Sequence, residues 1–305
     1  MGEKWQKIKV VVHARDLGSH LTTAATMCAP TLTNRMMEAA QLINRIARTN
    51  LSPTMRAHVI RMAGIAKGLY GVECSAENGQ ALQKLRVAIA NAIAPKSSLR
   101  SLDLTFATAN LGRDLDPIII LMVRRTTMLR RMLAKHEHLR TMVQQTWELY
   151  RVKGHQGTFC EPKVMAGKSP MPGFGKGNRN KWKCATEPRG PIGLLLKSLH
   201  QMGASLNSDF EIIQHAEAPI SVMKTPWQHL GPLIEDAAYR ARFRRVCKDR
   251  SILEGAGEID RELFNDAVKC LPCEDAKWLK AITNLSRWTD AKIAGFSNEN
   301  DGKCG

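Results

Sequence analysis

The sequence predicts a mainly α-helical fold that begins with a short β-hairpin. Aromatic residues make up only 5% of the chain, whereas there are 14 methionines, and this composition favours helices packed through aliphatic side chains. Apolar residues also recur at helical spacing, and proline follows an N-cap residue at two expected helix starts. No apolar run approaches the roughly 20 residues of a membrane span, and no secretion signal begins the chain. We therefore expect an intracellular protein, nuclear or cytoplasmic, whose eight cysteines are thiols.

The first predicted element is a hairpin stub within residues 1–30. A β-branched run at 7–12 is followed by Leu17-Gly18 and then by a second short run from Ser19, which indicates two strands joined by a turn. Two strands are too few for an independent sheet. The hairpin therefore needs partner strands from outside this chain, or it leaves an exposed edge.

A helical bundle is predicted for residues 31–150. A first helix runs from Thr33, a second follows the cap pair Ser52-Pro53, and a third spans about 76–94 and ends before Pro95. The expected core-facing stripes contain, in that order, Met36, Ala40, Ile43 and Ala47; Met55, Val59, Met62, Ala66 and Leu69; and Leu82, Leu85, Ile89 and Ile93.

A fourth helix, opened by Asp116-Pro117, carries the sharpest basic stripe of the sequence. Arg124, Arg131 and Lys135 share one face at i, i+7 and i+11, and Arg125 and Arg130 flank them. A stripe of this kind binds anions, or it is simply the solvated face of an ordinary helix.

Beyond the bundle the pattern changes twice. Residues 151–189 are rich in Gly, Pro, Lys and Arg and lack apolar periodicity, which is typical of a basic linker. A small second helical domain follows at 190–294, with helices expected at 192–202, 230–249 and 258–269 and a strand at 210–213. Residues 295–305 form a polar tail.

The net charge of +17 is unevenly distributed. Lys and Arg outnumber Asp and Glu by 21 to 10 in residues 1–150 and by 9 to 2 in residues 151–189, whereas residues 190–305 have 15 basic and 16 acidic side chains. Nucleic acid is the commonest partner of such a localised basic region. An anionic membrane surface, or solubility alone, remains an alternative reason for the charge.

Catalytic and metal-binding motifs are incomplete. Gly167-Lys168-Ser169 lacks the first glycine of a phosphate-binding loop, because Pro162 stands there. Cys270 and Cys273 have the spacing of half a zinc site without a second pair downstream. Neither a nucleophile elbow nor a His-Glu-x-x-His helix is present, so no cofactor is expected in this chain.

Two motifs resemble the non-LTR (LINE-type) retrotransposon reverse transcriptases. The segment at 13–21 is similar to the hairpin called the primer grip, with Leu17 and Gly18 matching and Asp16 in place of an aromatic residue. Leu69-Tyr70-Gly71-Val72-Glu73 is similar to a signature of the thumb, the helical domain that follows the palm. The segments at 100–106 and 190–196 look like parts of the C-terminal extension of one subgroup.

The resemblance implies that the chain is the region after the palm of an RNA-directed DNA polymerase, with residues 31–150 as a thumb-like bundle. It would bind the template–primer duplex, an RNA/DNA hybrid or DNA duplex, through Leu17, Gly18, Arg124, Arg131 and Lys135. The chain has no adjacent Asp-Asp pair, such as polymerases use to hold Mg²⁺, so we expect no catalysis without a separate palm and fingers segment. The alternatives are a self-standing nucleic-acid-binding module derived from a retroelement and a nonfunctional fragment.

Overall fold

A computed structural model of the chain describes residues 13–16, 19–22, 28–94, 100–109, 111–152, 190–214, 217–249, 253 and 255–284. Helix dominates these residues, so the predicted mainly α fold is confirmed. The N-terminal hairpin consists of β1 (His13–Asp16) and β2 (Ser19–Thr22), which pair antiparallel. Of the linker predicted at 151–189, residues 151 and 152 are helical and residues 153–189 lie outside the described residues, as does the tail at 295–305.

The helices before the predicted linker follow the expected order. They are α1 (Pro30–Ile46), α2 (Pro53–Val59), a π-helical segment (Ile60–Ile65), α3 (Ala66–Gly68), α4 (Gly79–Ile93), α5 (Leu102–Thr108), a 3₁₀ turn (Arg113–Leu115), α6 (Pro117–Lys135) and α7 (Glu137–Val152). The sequence did not predict α5 or the break between α6 and α7.

The polar caps explain where the main helices begin. The Ser52 side chain accepts a hydrogen bond from Met55 N, and the Asp116 side chain accepts one from Ile118 N. Each cap residue precedes a proline at the first helical position, where a missing N–H costs nothing. Both predicted starts are confirmed. The third helix begins at Gly79 rather than 76, because the Asn78 side chain caps it.

The helix that follows Ser52 buries a different face from the one predicted. Met55 is 53% exposed and Met62 79% exposed, so the predicted stripe faces solvent along most of its length, and only its last residue, Leu69, is buried. The residues that pack inward are smaller, namely Ala57, Ile60, Gly64, Ile65, Gly68 and Leu69. A β-carbon on Gly68 would lie 2.9 Å from the Ala39 Cβ. Glycine therefore allows this helix to approach α1 closely, and the bulky methionines stay outside.

The region after the predicted linker combines helices with a small sheet. It contains α8 (Gly190–Gln201), β3 (Ala204–Leu206), β4 (Glu211–Gln214), β5 (Ile220–Ser221), α9 (Trp227–Asp249), α10 (Arg261–Cys270) and α11 (Cys273–Thr283). The three strands form an antiparallel sheet in the order β3-β4-β5. Only β4 and three of the helices were predicted, and α9 begins three residues earlier than expected.

Helix α6 joins the two halves of the described chain. It packs against α4 on one side and against α8 and α9 on the other. Buried side chains from 29–143 and from 195–239 belong to one hydrophobic cluster. Helices on both sides of residues 151–189 therefore share this core. The division of the chain into separate domains at these residues stays a prediction.

No helix among the described residues is both long enough and apolar enough to cross a membrane.

Candidate nucleic-acid interface

The three basic residues predicted on α6 have different surroundings. Arg124 is half-buried, and its guanidinium donates a hydrogen bond of 2.9 Å to the Leu69 carbonyl and lies 3.9 Å from the Glu73 carboxylate. Arg131 and Lys135 are exposed. Two of the three residues therefore face solvent, whereas Arg124 is committed to contacts within the protein.

Arg125, predicted to flank the stripe, is a core residue with 2% of its surface exposed. Its guanidinium donates to the Glu77 carboxylate at 2.5 Å and to the Ser198 hydroxyl at 2.8 Å. Three carbonyl oxygens, those of Val72, Ser75 and Leu194, accept its remaining hydrogen bonds. The planar fork of arginine suits such a hub, which ties α6 to α8 and to the loop before α4. Arg125 is therefore unavailable to a ligand.

A second buried ion-pair cluster takes up two more arginines. The Asp116 carboxylate, whose side chain is fully buried, accepts hydrogen bonds from Arg86 at 2.9 Å and from Arg242 at 2.5 Å. Arg86 also pairs with Asp103. Burial acts to lower the pKa of Arg86, but the Asp116 and Asp103 carboxylates outweigh it and raise that pKa. These ion pairs hold α4, α5, α6 and α9 together. The charges of Arg86 and Arg242 are therefore already paired with carboxylates inside the protein.

The exposed end of α6 lies against the start of α9, where Trp227 is the first helical residue. The guanidinium carbon of Arg131 lies 4.9 Å from the centroid of the Trp227 ring, and that of Arg130 lies 5.8 Å away. Both distances are within the range of cation–π attraction. Arg130 also donates a hydrogen bond to the Thr225 carbonyl, so the chain leading into α9 is fastened to α6.

Two lysines extend this positively charged surface. Lys135 lies one helical turn beyond Arg131, and Lys224 precedes Trp227 by three residues, and both are exposed. No Asp or Glu occurs in 117–136 or in 218–234. We call the surface formed by Arg131, Lys135, Lys224 and Trp227 the α6–α9 patch. Its combination of cations with an exposed aromatic ring suits a polyanion that has stacking faces.

Trp227 was not predicted as a site residue, because the helix was expected to begin at Leu230 and not at the tryptophan. One signal could have identified it. Aromatic residues are scarce in this chain, and Trp227 follows Lys224 and Pro226 in a stretch without carboxylates. The contact with α6, about 100 residues away in the sequence, could not be inferred from local pattern.

The motif at 69–73 follows the end of α3. Leu69 is fully buried, and Gly71 has a φ of +80°, the left-handed conformation that glycine adopts after helices. Arg35 lies over the Tyr70 ring at 5.0 Å and donates to the Tyr70 carbonyl. Arg124 fastens the same segment to α6. Leu17 and Gly18, the predicted primer-grip residues, lie outside the described residues.

Cys270 and Cys273 are both exposed at the junction of α10 and α11. Leu271 (φ −86°, ψ 150°) and Pro272 (φ −53°, ψ 153°) between them are extended. Three extended steps of about 3.1 Å separate the two α-carbons by roughly 9 Å, which exceeds the 7 Å limit for a disulfide. In the part of the chain that the structure describes, no three His, Cys, Asp or Glu side chains are grouped to hold a metal ion.

Comparison of the chain with protein-family models, with curated proteins and with solved structures finds no match.

Proposed function

We propose that the chain binds nucleic acid through the α6–α9 patch, as the template–primer-binding part of a retrotransposon RNA-directed DNA polymerase that lacks its catalytic palm. The observation that carries the proposal is the exposed Arg131 beside the Trp227 ring, with the exposed Lys135 one helical turn further along α6. The basic excess of residues 1–189 and the resemblance of the segments at 13–21 and 69–73 support it. Phosphate contacts of this kind position a duplex without reading its sequence.

A self-standing nucleic-acid-binding module is the second candidate. The shared core of residues 29–143 and 195–239 supports it, because a unit with a core of its own does not need a palm to fold against. Both candidates predict that the purified chain binds duplex or hybrid nucleic acid and extends no primer. They differ in whether adding a separate palm and fingers segment creates polymerase activity.

The test is a charge reversal on the patch with a matched reversal elsewhere. The patch variant is Arg131→Glu with Lys135→Glu. The control is Arg48→Glu with Lys248→Glu, which changes the same residue types at exposed positions just after α1 and at the end of α9. Lys248 is 21 residues beyond Trp227 on one helix, so it lies about 30 Å from the patch.

Binding of a labelled RNA/DNA hybrid is measured by fluorescence anisotropy over a range of salt concentrations. Each phosphate contact contributes about −0.9 to the slope of log K against log salt, so several contacts give a slope of roughly −3 to −6 for the unmodified chain. The patch variant should bind more weakly than the control, and its slope should be shallower by about 2. Equal losses of affinity in the two variants would mean that binding depends on the net charge of the whole surface and that the patch is not the site.

A further inference from the structure

Trp227 has a feature that phosphate binding alone does not require. Trp227 is 44% exposed although it is the first residue of a 23-residue helix. An aromatic side chain left in water gives up hydrophobic burial that the fold could otherwise gain. Lysine and arginine suffice to hold phosphates, so the exposed ring calls for a ligand with an apolar face.

The ring is held in place before any ligand arrives. Arg130 fastens the Thr225 carbonyl, two residues before the tryptophan, to α6. The Arg131 guanidinium lies over the ring at 4.9 Å from its centroid. Because the ring and its backbone are already ordered, a flat partner that stacks on the indole loses little additional side-chain entropy.

Exposed basic side chains occur on both elements that meet at the ring. Lys135 lies one turn from Arg131 on α6, Lys224 lies three residues before Trp227, and the positive end of the α9 dipole begins at the tryptophan itself. A base on the indole would therefore place its neighbouring phosphates near cations. Arginine beside an aromatic ring also contributes to single-strand binding in general.

We infer that Trp227 stacks an unpaired base, so that the ligand of the α6–α9 patch is single-stranded nucleic acid or a single-stranded overhang beside a duplex. This inference rests on the proposed function and adds that the nucleic acid bound at the indole is unpaired. Bases inside a duplex have both faces covered by their neighbours, so an intact duplex can use the cations of the patch but not the indole. Stacking tolerates any base, because every base has a π face.

The experiment compares three labelled probes that share one RNA/DNA hybrid: blunt, with a single-stranded overhang, and with an overhang of equal length made of abasic nucleotides. The two overhangs carry the same phosphates, so only the stacking faces differ. The proteins are the unmodified chain, Trp227→Ala and Trp227→Phe. Circular dichroism and thermal unfolding verify that the variants fold, which is expected because Arg130 contacts a backbone carbonyl that both variants keep.

The unmodified chain should bind the overhang with bases more tightly than the abasic one. Trp227→Ala should abolish that preference, with a loss of roughly 5- to 150-fold on the base-containing overhang and little change on the blunt hybrid or in the salt slope. Trp227→Phe should keep part of the preference. Equal affinity of the unmodified chain for the two overhangs, or an equal loss on all probes with Trp227→Ala, would overturn the stacking inference and leave the proposed function standing. Absence of binding to every probe would remove both.

Discussion

Replacing Asp116 by asparagine should destabilise the fold far more than the same replacement two residues earlier, at Asp114. The Asp116 carboxylate is fully buried between the guanidinium groups of Arg86 and Arg242. Asparagine can still cap α6, because its side-chain oxygen can accept the Ile118 N–H. Its NH2 group then replaces the oxygen that accepts from Arg86 and Arg242, so the change removes both the charge and these two hydrogen bonds. Taking away one member of a buried ion pair costs about 3 to 5 kcal/mol, since the partner charges stay buried without compensation.

We expect Asp116→Asn to cost about 3 kcal/mol, the lower part of that range, because Arg86 keeps its contact with Asp103. Asp114 forms an exposed pair with Arg61 at 3.1 Å, in which 57% of the arginine and 35% of the aspartate side chain remain accessible. Its replacement should cost no more than about 1 kcal/mol. Urea unfolding followed by circular dichroism measures both. Similar losses in the two variants would refute the argument that the buried cluster holds these helices together.

Two further predictions follow from the backbone and from the composition of the chain. Gly112→Ala should destabilise the fold by roughly 1 to 3 kcal/mol, because the new β-carbon would lie 2.4 Å from the Phe106 carbonyl oxygen. In the control, Gly79→Ala, the new β-carbon meets no atom within 4 Å, so this change should be neutral or stabilising. Thermal unfolding compares the two variants, and equal effects would contradict the steric argument. Trypsin should cut first between residues 152 and 189, where eight Lys and Arg residues occur among many Gly and Pro. Mass spectrometry identifies the early fragments, and first cleavage inside 33–135 would contradict this prediction.

Local sequence signals predicted the starts of two helices at the correct residue. Ser52-Pro53 and Asp116-Pro117 mark helix starts because the cap and the proline act within one turn, and both are confirmed. The inward faces of α1 and α4 were predicted well, since Met36, Ile43 and Leu85 are fully buried. In these cases the residues that decide the structure lie close together in sequence.

The predictions that failed depend on contacts between distant residues. The helix after Ser52 was expected to bury its methionines, but Gly64 and Gly68 face α1 because small residues allow the closest approach. Arg125 was predicted to flank the basic stripe, but it lies in the core. Its partner Glu77 lies 48 residues earlier, and no local pattern pairs them. Of the candidate site, the sequence predicted Arg131 and Lys135 on one face but not the tryptophan that lies beside them.

Acid should weaken the fold partly through Asp103. Burial favours the neutral carboxyl and so acts to raise its pKa, but the guanidinium groups of Arg86 and Arg242 outweigh burial and hold that pKa below its ordinary value of 3.8. A carboxylate with a lowered folded-state pKa contributes stability that is fully present above the unfolded-state pKa. That contribution is lost as the pH falls below about 4 and passes through the folded-state pKa.

Asp103→Asn should therefore be less stable than the unmodified chain at neutral pH and should lose less further stability between about pH 4 and pH 2. The control is Asp209→Asn, an exposed aspartate outside the buried cluster, which should keep the pH dependence of the unmodified chain. Urea unfolding at a series of pH values gives the free energy of unfolding for all three proteins. If Asp103→Asn and Asp209→Asn show the same slope in the acid range, the Asp103 carboxylate does not stabilise the fold through its charge. The Arg86 and Arg242 guanidinium groups would then be compensated by Asp116 alone.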